Sequence, residues 1–473
     1  MKLKIEQHRH THFLLAYTLV VIILLTPITL FVPTVSCVSQ VESMRNVIIG
    51  FIGEPDLQLL RDYDVIVLKV YNIIPAVHAI MTQEVIEQLK QDPAIAYITE
   101  NTQTQVQTLS QTQILEEVDG ANWAVRQINA TSAWVESTGV GVRVAVLDTG
   151  ISPVDGVKVY GGYNFVEDNG DTVDRYGHGT MLATIIGMKH SSSSGLMGVA
   201  PDAQLYAVKV LDDHGVGNLD QAVLGVQWAV ENDMQIISIS WCINDKNNAL
   251  KQALATAYSR GILIVAAAGN VGEIQAGVGC PADYNSTIAV SAIKENTRQL
   301  EQACSGEEIE LTAPGGDIYA VGLDNKIHSG SGTSFAAAYV TGTAALAWAK
   351  NPTLTNIQIR NILCQTATDM QPADGLNRDI YFGYGLINAT AAIKATPNNP
   401  NINPTNPQNI NRPKTNFITI TISIVLISII MITVLLLTTH HHNKNNKNKK
   451  TQPTHTIKHF NSPSPTRDED IFE

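Results

Sequence analysis

The sequence predicts an α/β fold, a mostly parallel sheet with helices on both faces, preceded by a small α+β unit of ferredoxin-like order and followed by a single transmembrane helix. Four observations carry this. Runs such as Val144-Ala145-Val146-Leu147, Leu205 to Val210 and Val265-Ala266-Ala267-Ala268 are continuously apolar, as in parallel strands buried on both faces. The alanine-rich stretch from Phe335 to Lys350 reads as a helix, and Arg45 to Glu100 follows a split βαβ pattern. Near the other end, Phe417 to Leu437 is 21 residues without a charge.

The chain has 473 residues, 44% of them hydrophobic, enough for one large core and at least one smaller unit. A formal net charge of −12 and the lack of a basic stripe in the body argue against a nucleic-acid partner. Five cysteines are few for this length.

Taken in chain order, Lys2, Lys4 and Arg9 precede an apolar run from Phe13 to Val32 and then small residues around Thr34-Val35-Ser36, the pattern of a signal peptide over residues 1–38. Residues 45–100 read as strand (Asn46 to Ile52), helix (Pro55 to Arg61), two strands (Val65 to Tyr71, Ala76 to Ile80), helix (Thr82 to Gln91, capped by Thr82) and strand (Ile95 to Thr99). Residues 101–120 are a Gln- and Thr-rich linker, and 121–395 form the main body. In 396–416, 13 of the 20 residues from Pro397 to Asn416 are Asn or Pro, so this segment is a stalk that cannot bury a core. Residues 417–438 are long enough to cross a bilayer core of roughly 30 Å as a helix, giving membrane lipid as a partner. His440-His441-His442 and Lys444, Lys447, Lys449 and Lys450 follow, which puts the tail, 439–473, in the cytoplasm and the body outside.

The chemistry is concentrated in three short runs: Val144 to Gly150 with Asp148, Gly177-His178-Gly179-Thr180, and Gly332-Thr333-Ser334-Phe335. A serine hydroxyl is a poor nucleophile until an imidazole takes its proton, and the imidazole needs a carboxylate to fix its tautomer. Asp148 ends a strand, Gly177 and Gly179 allow a tight turn around His178, and Ser334 opens a helix. An Asp-Thr-Gly tripeptide also occurs in aspartic proteases, but that dyad needs a second such motif or a symmetric dimer. No second one occurs, and that reading leaves His178 and Ser334 unexplained.

The order Asp, His, Ser and the surrounding words resemble the subtilisin-like serine proteases. The resemblance runs from about Asn122 to Ala395 and includes Gly198-Val199-Ala200-Pro201, Val265 to Asn270 and Gly383-Tyr384-Gly385-Leu386-Ile387-Asn388-Ala389. It implies an endopeptidase acting on peptides or proteins, with Asp148, His178 and Ser334 as its triad and Asn270 as oxyanion donor beside the Ser334 amide. It also implies that the 45–100 unit, whose Val47-Ile48-Ile49-Gly50-Phe51 and Ile95 to Glu100 are close to words found there, is an inhibitory propeptide that the enzyme removes within Asn101 to Gly120. No cofactor is required for catalysis. The rival classes are a silent relative that binds peptides in its cleft, and an envelope protein whose tether and stalk matter more than its chemistry.

By the same resemblance the substrate cleft is lined by Ser240, Trp241 and Cys242 on one wall and Ala267, Ala268 and Gly269 on the other. Trp241-Cys242 stands where the family has Leu-Gly, so the pocket for the residue before the cut is expected to be narrower or differently shaped. The family's structural calcium site is in doubt, because Ile151 to Gly156 lacks the usual His-Pro-Asp-Leu and Ser191-Ser192-Ser193-Ser194-Gly195 offers only weak ligands. Asp155, Asp168, Asp171 and Asp174 are the other acidic candidates for a metal. Cys242, Cys280, Cys304 and Cys364 could pair or stay free. Asn129, Asn285 and Asn388 begin Asn-x-Ser/Thr sequons, compatible with export.

Overall fold

A computed structural model describes residues 43–107, 114–115, 123–191, 194–243, 246–272, 277–370 and 378–398. The expected signal peptide, most of the stalk, the span over 417–438 and the tail lie outside the described residues. Among the described residues no helix is long and apolar enough to cross a membrane.

The small unit is built from β1 (Met44–Phe51), α1 (Leu57–Asp62), β2 (Ile66–Val70), β3 (Ala76–Thr82), α2 (Gln83–Leu89) and β4 (Ile95–Glu100). Asp56 and Thr82 cap the two helices, each accepting from the first free amides with a side-chain oxygen. The sheet is antiparallel in the order β2-β3-β1-β4. Alternation along β1 sorts its side chains: Val47, Ile49 and Phe51 pack with Leu60, Val77, Met81 and Leu89 inside the unit, whereas Ile48 faces the main body. Element order follows the sequence pattern, with ends shifted by a residue or two.

Next come β5 (Gln103–Gln105), β6 (Ile114–Leu115), α3 (Trp123–Gln127) and α4 (Ala130–Ala133). The body continues with β7 (Arg143–Asp148), β8 (Val159–Asn164), α5 (His178–Gly187), β9 (Gln204–Lys209), β10 (Val216–Asn218), α6 (Leu219–Glu231), β11 (Ile236–Ile239) and α7 (Asn248–Ser259). It closes with β12 (Leu263–Ala267), β13 (Ile288–Ile293), β14 (Ile309–Pro314), β15 (Ile318–Val321), β16 (Ile327–Gly330), α8 (Thr333–Lys350), α9 (Asn356–Gln365) and α10 (Ala389–Ala395).

Seven strands form one sheet in the order β14-β13-β12-β11-β7-β9-β8, with every neighbouring pair parallel. Strand periodicity explains why these runs are apolar throughout: Val144, Val146, Leu205 and Val265 pack against α5 and α8, while Ala145, Leu147, Val208 and Ile264 pack against α6 and α7. Helix α8 is buried on nearly all sides, so its small residues are what let it fit. A Cβ added at Gly342 would stand 2.6 Å from Val199 Cβ.

The small unit lays its other face, with Ile48, Tyr71, Ile73 and Ile74, on Leu219, Val223 and Val226 of α6. Tyr97 donates its hydroxyl to Gln252 of α7 at 3.0 Å, and Gln227 accepts the Asn72 amide at 2.8 Å. This packing places the end of β4 at the start of the cleft.

Candidate active site

Strand β7 lies between β11 and β9, where the winding of the sheet reverses, and such a crevice at carboxyl ends of strands is where α/β folds build sites. Asp148 ends that strand and is fully buried. Its Oδ1 accepts from the Thr149 amide at 2.8 Å, the Thr149 hydroxyl at 3.2 Å and His178 Nδ1 at 2.8 Å.

His178 opens α5 and is held from below. The buried Asp174 carboxylate accepts from the amides of Tyr176, Gly177 and Thr180 at 2.7 to 2.9 Å and from the Thr180 hydroxyl at 2.7 Å, which satisfies the free donors at this helix start. The Gly179 amide donates to Thr149 Oγ1 at 3.0 Å, tying α5 to the end of β7. Any side chain at Gly179 would collide with the Gly150 carbonyl and press on Asp148 at 3.2 Å, so the His178–Asp148 approach requires this glycine. His178 Nε2 makes no hydrogen bond with the described residues, and the ring meets Phe335 edge-on at 6.4 Å.

Ser334 lies in the first turn of α8 and is 1% exposed. Its hydroxyl donates to the Ser240 carbonyl at 3.1 Å, and the Ser240 hydroxyl returns a bond to the Ser334 carbonyl at 3.3 Å. Asn270 is oriented by Thr333, whose amide and hydroxyl both donate to Asn270 Oδ1, at 2.8 and 3.1 Å. With its oxygen so engaged, the Asn270 amide nitrogen faces outward, and the Gln107 carbonyl oxygen accepts from it.

Gln107 follows β5, a strand of the chain's own sequence lying in the cleft. Strand β5 pairs antiparallel with β10, Val216 opposite Gln105 and Gly217 opposite Thr104. The Val106 amide continues this edge by donating to the Gly215 carbonyl at 3.0 Å, and on the other edge Gln105 exchanges two backbone bonds of 3.2 Å with Cys242. Residues 103–106 are thus held along β10, with Gln105 also bound to Cys242 on the opposite edge, and this pairing delivers the Gln107 carbonyl to Asn270. A cavity of about 370 Å³ opens beside His178, lined by Tyr176, Met181, Leu323, His328 and Phe335 among others.

The remaining cleft residues of the sequence reading fall differently. The Trp241 ring turns into the core and donates Nε1–H to the Leu147 carbonyl at 2.8 Å, so only its backbone faces the cleft wall. Ala267 and Ala268 are buried on opposite sides of the sheet. Cys242 Sγ donates to the Ala267 carbonyl at 3.8 Å. Cys242, Cys280, Cys304 and Cys364 are all free thiols. Burial disfavours the thiolate: it raises Cys242 and Cys304, and pushes Cys280 up to about 12.

No group of three or more possible metal ligands occurs among the described residues. Asp155 accepts from the Ser191 hydroxyl, Asp168 from the Tyr163 hydroxyl, Asp171 pairs with Arg175, and Asp174 is used at α5.

Sequence reading named Asp174 only as a metal candidate and Cys304 only as a thiol, and it missed the capping role of the first and the approach of the second to Gly269, as well as the β10 wall and Thr333 as the residue that orients Asn270. Asp174 had a signal, since an acid a few residues before a helix start is a capping pattern. The others depend on tertiary approach.

Comparison with known proteins agrees with this geometry. The pattern of the Subtilase family, peptidase S8, matches residues 139–385. The minor extracellular protease Epr of Bacillus subtilis (strain 168) is 35% identical over 355 residues, 74% of this chain and 54% of Epr, so the chain spans about half the length of that relative. The thermostable alkaline protease of Halalkalibacterium halodurans is 36% identical over 379 residues, 80% of this chain and 99% of that protein. In fold the chain is similar to fervidolysin of Fervidobacterium pennivorans, a keratinolytic enzyme related to subtilisin, with a TM-score of 0.64, 23% identity, and coverage of 75% of this chain and 62% of that one. Its sequence, its parallel sheet and its relatives agree: the chain belongs to the subtilase family of serine endopeptidases.

Proposed function

We propose that this chain is an extracytoplasmic endopeptidase, made as a proenzyme that processes itself and tethered to the membrane by its segment from Phe417 to Leu437. In this reading Ser334 Oγ attacks the scissile carbonyl, giving its proton to His178 Nε2, which passes it on to the leaving amine. Asp148 holds His178 with Nδ1 protonated, so that Nε2 carries the lone pair. Asn270 Nδ2 and the Ser334 backbone amide receive the charge that develops on the carbonyl oxygen. For attack, the Ser334 hydroxyl exchanges the Ser240 carbonyl for His178.

The observation that carries the proposal is the chain's own strand in the cleft, paired on both edges and ending with the Gln107 carbonyl on the Asn270 amide. That is how a peptide is presented for cleavage, and while it stays there it excludes other substrates. The unit 45–100 acts as the inhibitory propeptide that carries it. Uncharged length in 417–437 and the lysines beyond support the tether and its orientation.

The test is made on the full chain expressed in membranes, with a fluorophosphonate probe and mass spectrometry. The expected outcome is labelling of Ser334, loss of the 45–100 unit from the parent but not from Ser334→Ala, and release from membranes on deleting 417–438. Absence of labelling in a folded chain supports the silent peptide binder instead.

A further inference from the structure

The seat of Gln107 says more than that a peptide lies in the cleft. We propose that the peptide bond following Gln107 is the bond this enzyme cuts in itself, and that Cys242 shortens the pocket beside it, so that uncharged side chains up to the size of glutamine precede the cut. The inference rests on the proenzyme reading above and adds the bond and the side-chain class.

Two sets of contacts carry it. The first fixes the bond: of the residues in the cleft strand, it is Gln107 whose carbonyl meets the Asn270 side-chain amide, while Gln105 and Val106 spend their backbone groups on Cys242 and Gly215. The second describes the pocket. The Gln107 carboxamide oxygen accepts from the Asn270 backbone amide at 3.3 Å and lies over Gly269. A single point there, where a Gly269 Cβ would stand, is 3.0 Å from Cys304 Sγ, 3.4 Å from Gln107 Oε1 and 3.8 Å from Cys242 Sγ. Cys242 Sγ is also 3.2 Å from the corresponding point at Gly279, so the thiol stands between two glycines and fills space that neither of them takes. Around that point stand the Asn270 backbone amide and two thiols whose charged forms burial disfavours, and the Asp283 carboxylate adds to the rise at Cys242. Such surroundings give an amide a donor and give a carboxylate no counter-charge.

In the cut, Ser334 Oγ bonds to the Gln107 carbonyl carbon and the bond from that carbon to the Thr108 nitrogen breaks. The serine proton travels through His178 to the Thr108 amine. Water then adds to the ester, leaves Gln107 as a free carboxylic acid that ionises, and returns a proton to Ser334.

The experiment uses the full chain in membranes and a panel of fluorogenic peptides ending Thr-Gln-Val-X before the reporter, with X as Gln, Ala, Phe, Lys or Glu. Expected are a processed N-terminus at Thr108, a preference for Gln over Glu of about 100-fold and over the longer Lys and Phe of about 10-fold or more, and slower processing in Gln107→Glu. Cys242→Gly is expected to raise Phe relative to Gln by about 10-fold, with Cys242→Ala in between. If Cys242→Gly does not fold, the parent profile still decides: cleavage after Phe as fast as after Gln overturns the role of Cys242. Probe labelling of Ser334 with a processed N-terminus elsewhere in 101–120 overturns the assigned bond and leaves the proenzyme reading standing. No processing and no labelling overturns both.

Discussion

Asp148→Asn separates two jobs that a carboxylate does for a histidine, orienting it and balancing its charge. Three donors converge on one oxygen, Asp148 Oδ1: the Thr149 amide, the Thr149 hydroxyl and His178 Nδ1. If asparagine put its NH₂ at that position it would face all three, so its oxygen stays there and the NH₂ takes the place of Oδ2. His178 then keeps its proton on Nδ1, and Nε2 remains able to accept the serine proton. What is lost is the negative charge beside the imidazolium that forms during attack. With charge centres about 4 Å apart and an effective dielectric constant of about 20, that attraction is about 4 kcal/mol, or a fall of about 1000-fold in kcat/KM. KM should barely change, since Asp148 is buried away from the peptide strand. The assay pairs peptide hydrolysis with nitrogen NMR of the imidazole, which reports the protonated nitrogen. A variant with its proton on Nε2, and an activity loss at or beyond the roughly 10⁴-fold typical of a wrong tautomer, refutes the argument from the three donors.

Three further outcomes follow from contacts elsewhere. Arg360 joins α9 to β14 through Glu310 and donates to the carbonyls of Asn285 and Thr287 at 2.9 and 2.8 Å; Arg360→Ala leaves the half-buried Glu310 without its cation and should cost about 2–3 kcal/mol in urea unfolding, part of it recovered by Glu310→Ala in the same chain. The Cys280 and Cys364 thiols are both pushed up to about 12, first by burial and then by Asp283 and Glu310 respectively, whereas in the unfolded chain they ionise near 9. From pH 9 to 12 the folded state therefore holds protons that the unfolded state has lost, and stability falls with rising pH by up to about 1.4 kcal/mol per unit for each thiol; a slope unchanged in Cys280→Ala/Cys364→Ala would count against this. Gly179→Ala forces α5 away from Gly150 and Asp148, and should abolish probe labelling of Ser334 while far-UV circular dichroism stays near the parent's.

What the sequence made legible was local. Asp148 could be read because continuous apolar runs are strands buried on two faces, and the residue ending one lies at the rim of the sheet. The small unit could be read because its periods change from 2 to 3.6 near Pro55 and at Thr82; Thr82 caps its helix as expected, while the first helix starts two residues later than read, capped by Asp56. Trp241 illustrates the limit. Along the extended stretch Ser240-Trp241-Cys242 successive side chains point opposite ways, so the one that follows Ser240 enters the core and the next one reaches the pocket. The seat of Gln107 was hidden for a different reason: backbone pairing with β10 and Cys242 needs no particular side chain, and the Gln- and Thr-rich linker offers many equivalent words. Cys304 comes to Gly269 from a distant loop, an approach that no local pattern encodes.

If the chain cuts itself after Gln107, as proposed, the same contacts imply that cutting the chain and freeing the cleft are separate events. The start of α6 draws its first partners from the other side of the junction: the Leu219 amide donates to the Thr102 carbonyl at 2.9 Å, and Asn101 both accepts from the Asp220 amide at 3.0 Å and donates to its carboxylate at 2.7 Å. Breaking the bond after Gln107 disturbs none of these, nor the apolar face of Ile48, Tyr71, Ile73 and Ile74 on α6. A chain end still paired on both edges is held as firmly as before the cut, and the product occupies the cleft in place of substrate. Activity then waits on loss of the whole unit, which must expose the α6 face and its free amides together. On the proposed reading the enzyme would be inhibited by its own first product until that unit is unfolded or digested, and its timing would depend on the stability of the small unit and on the grip of α6, rather than on the rate of the first cut.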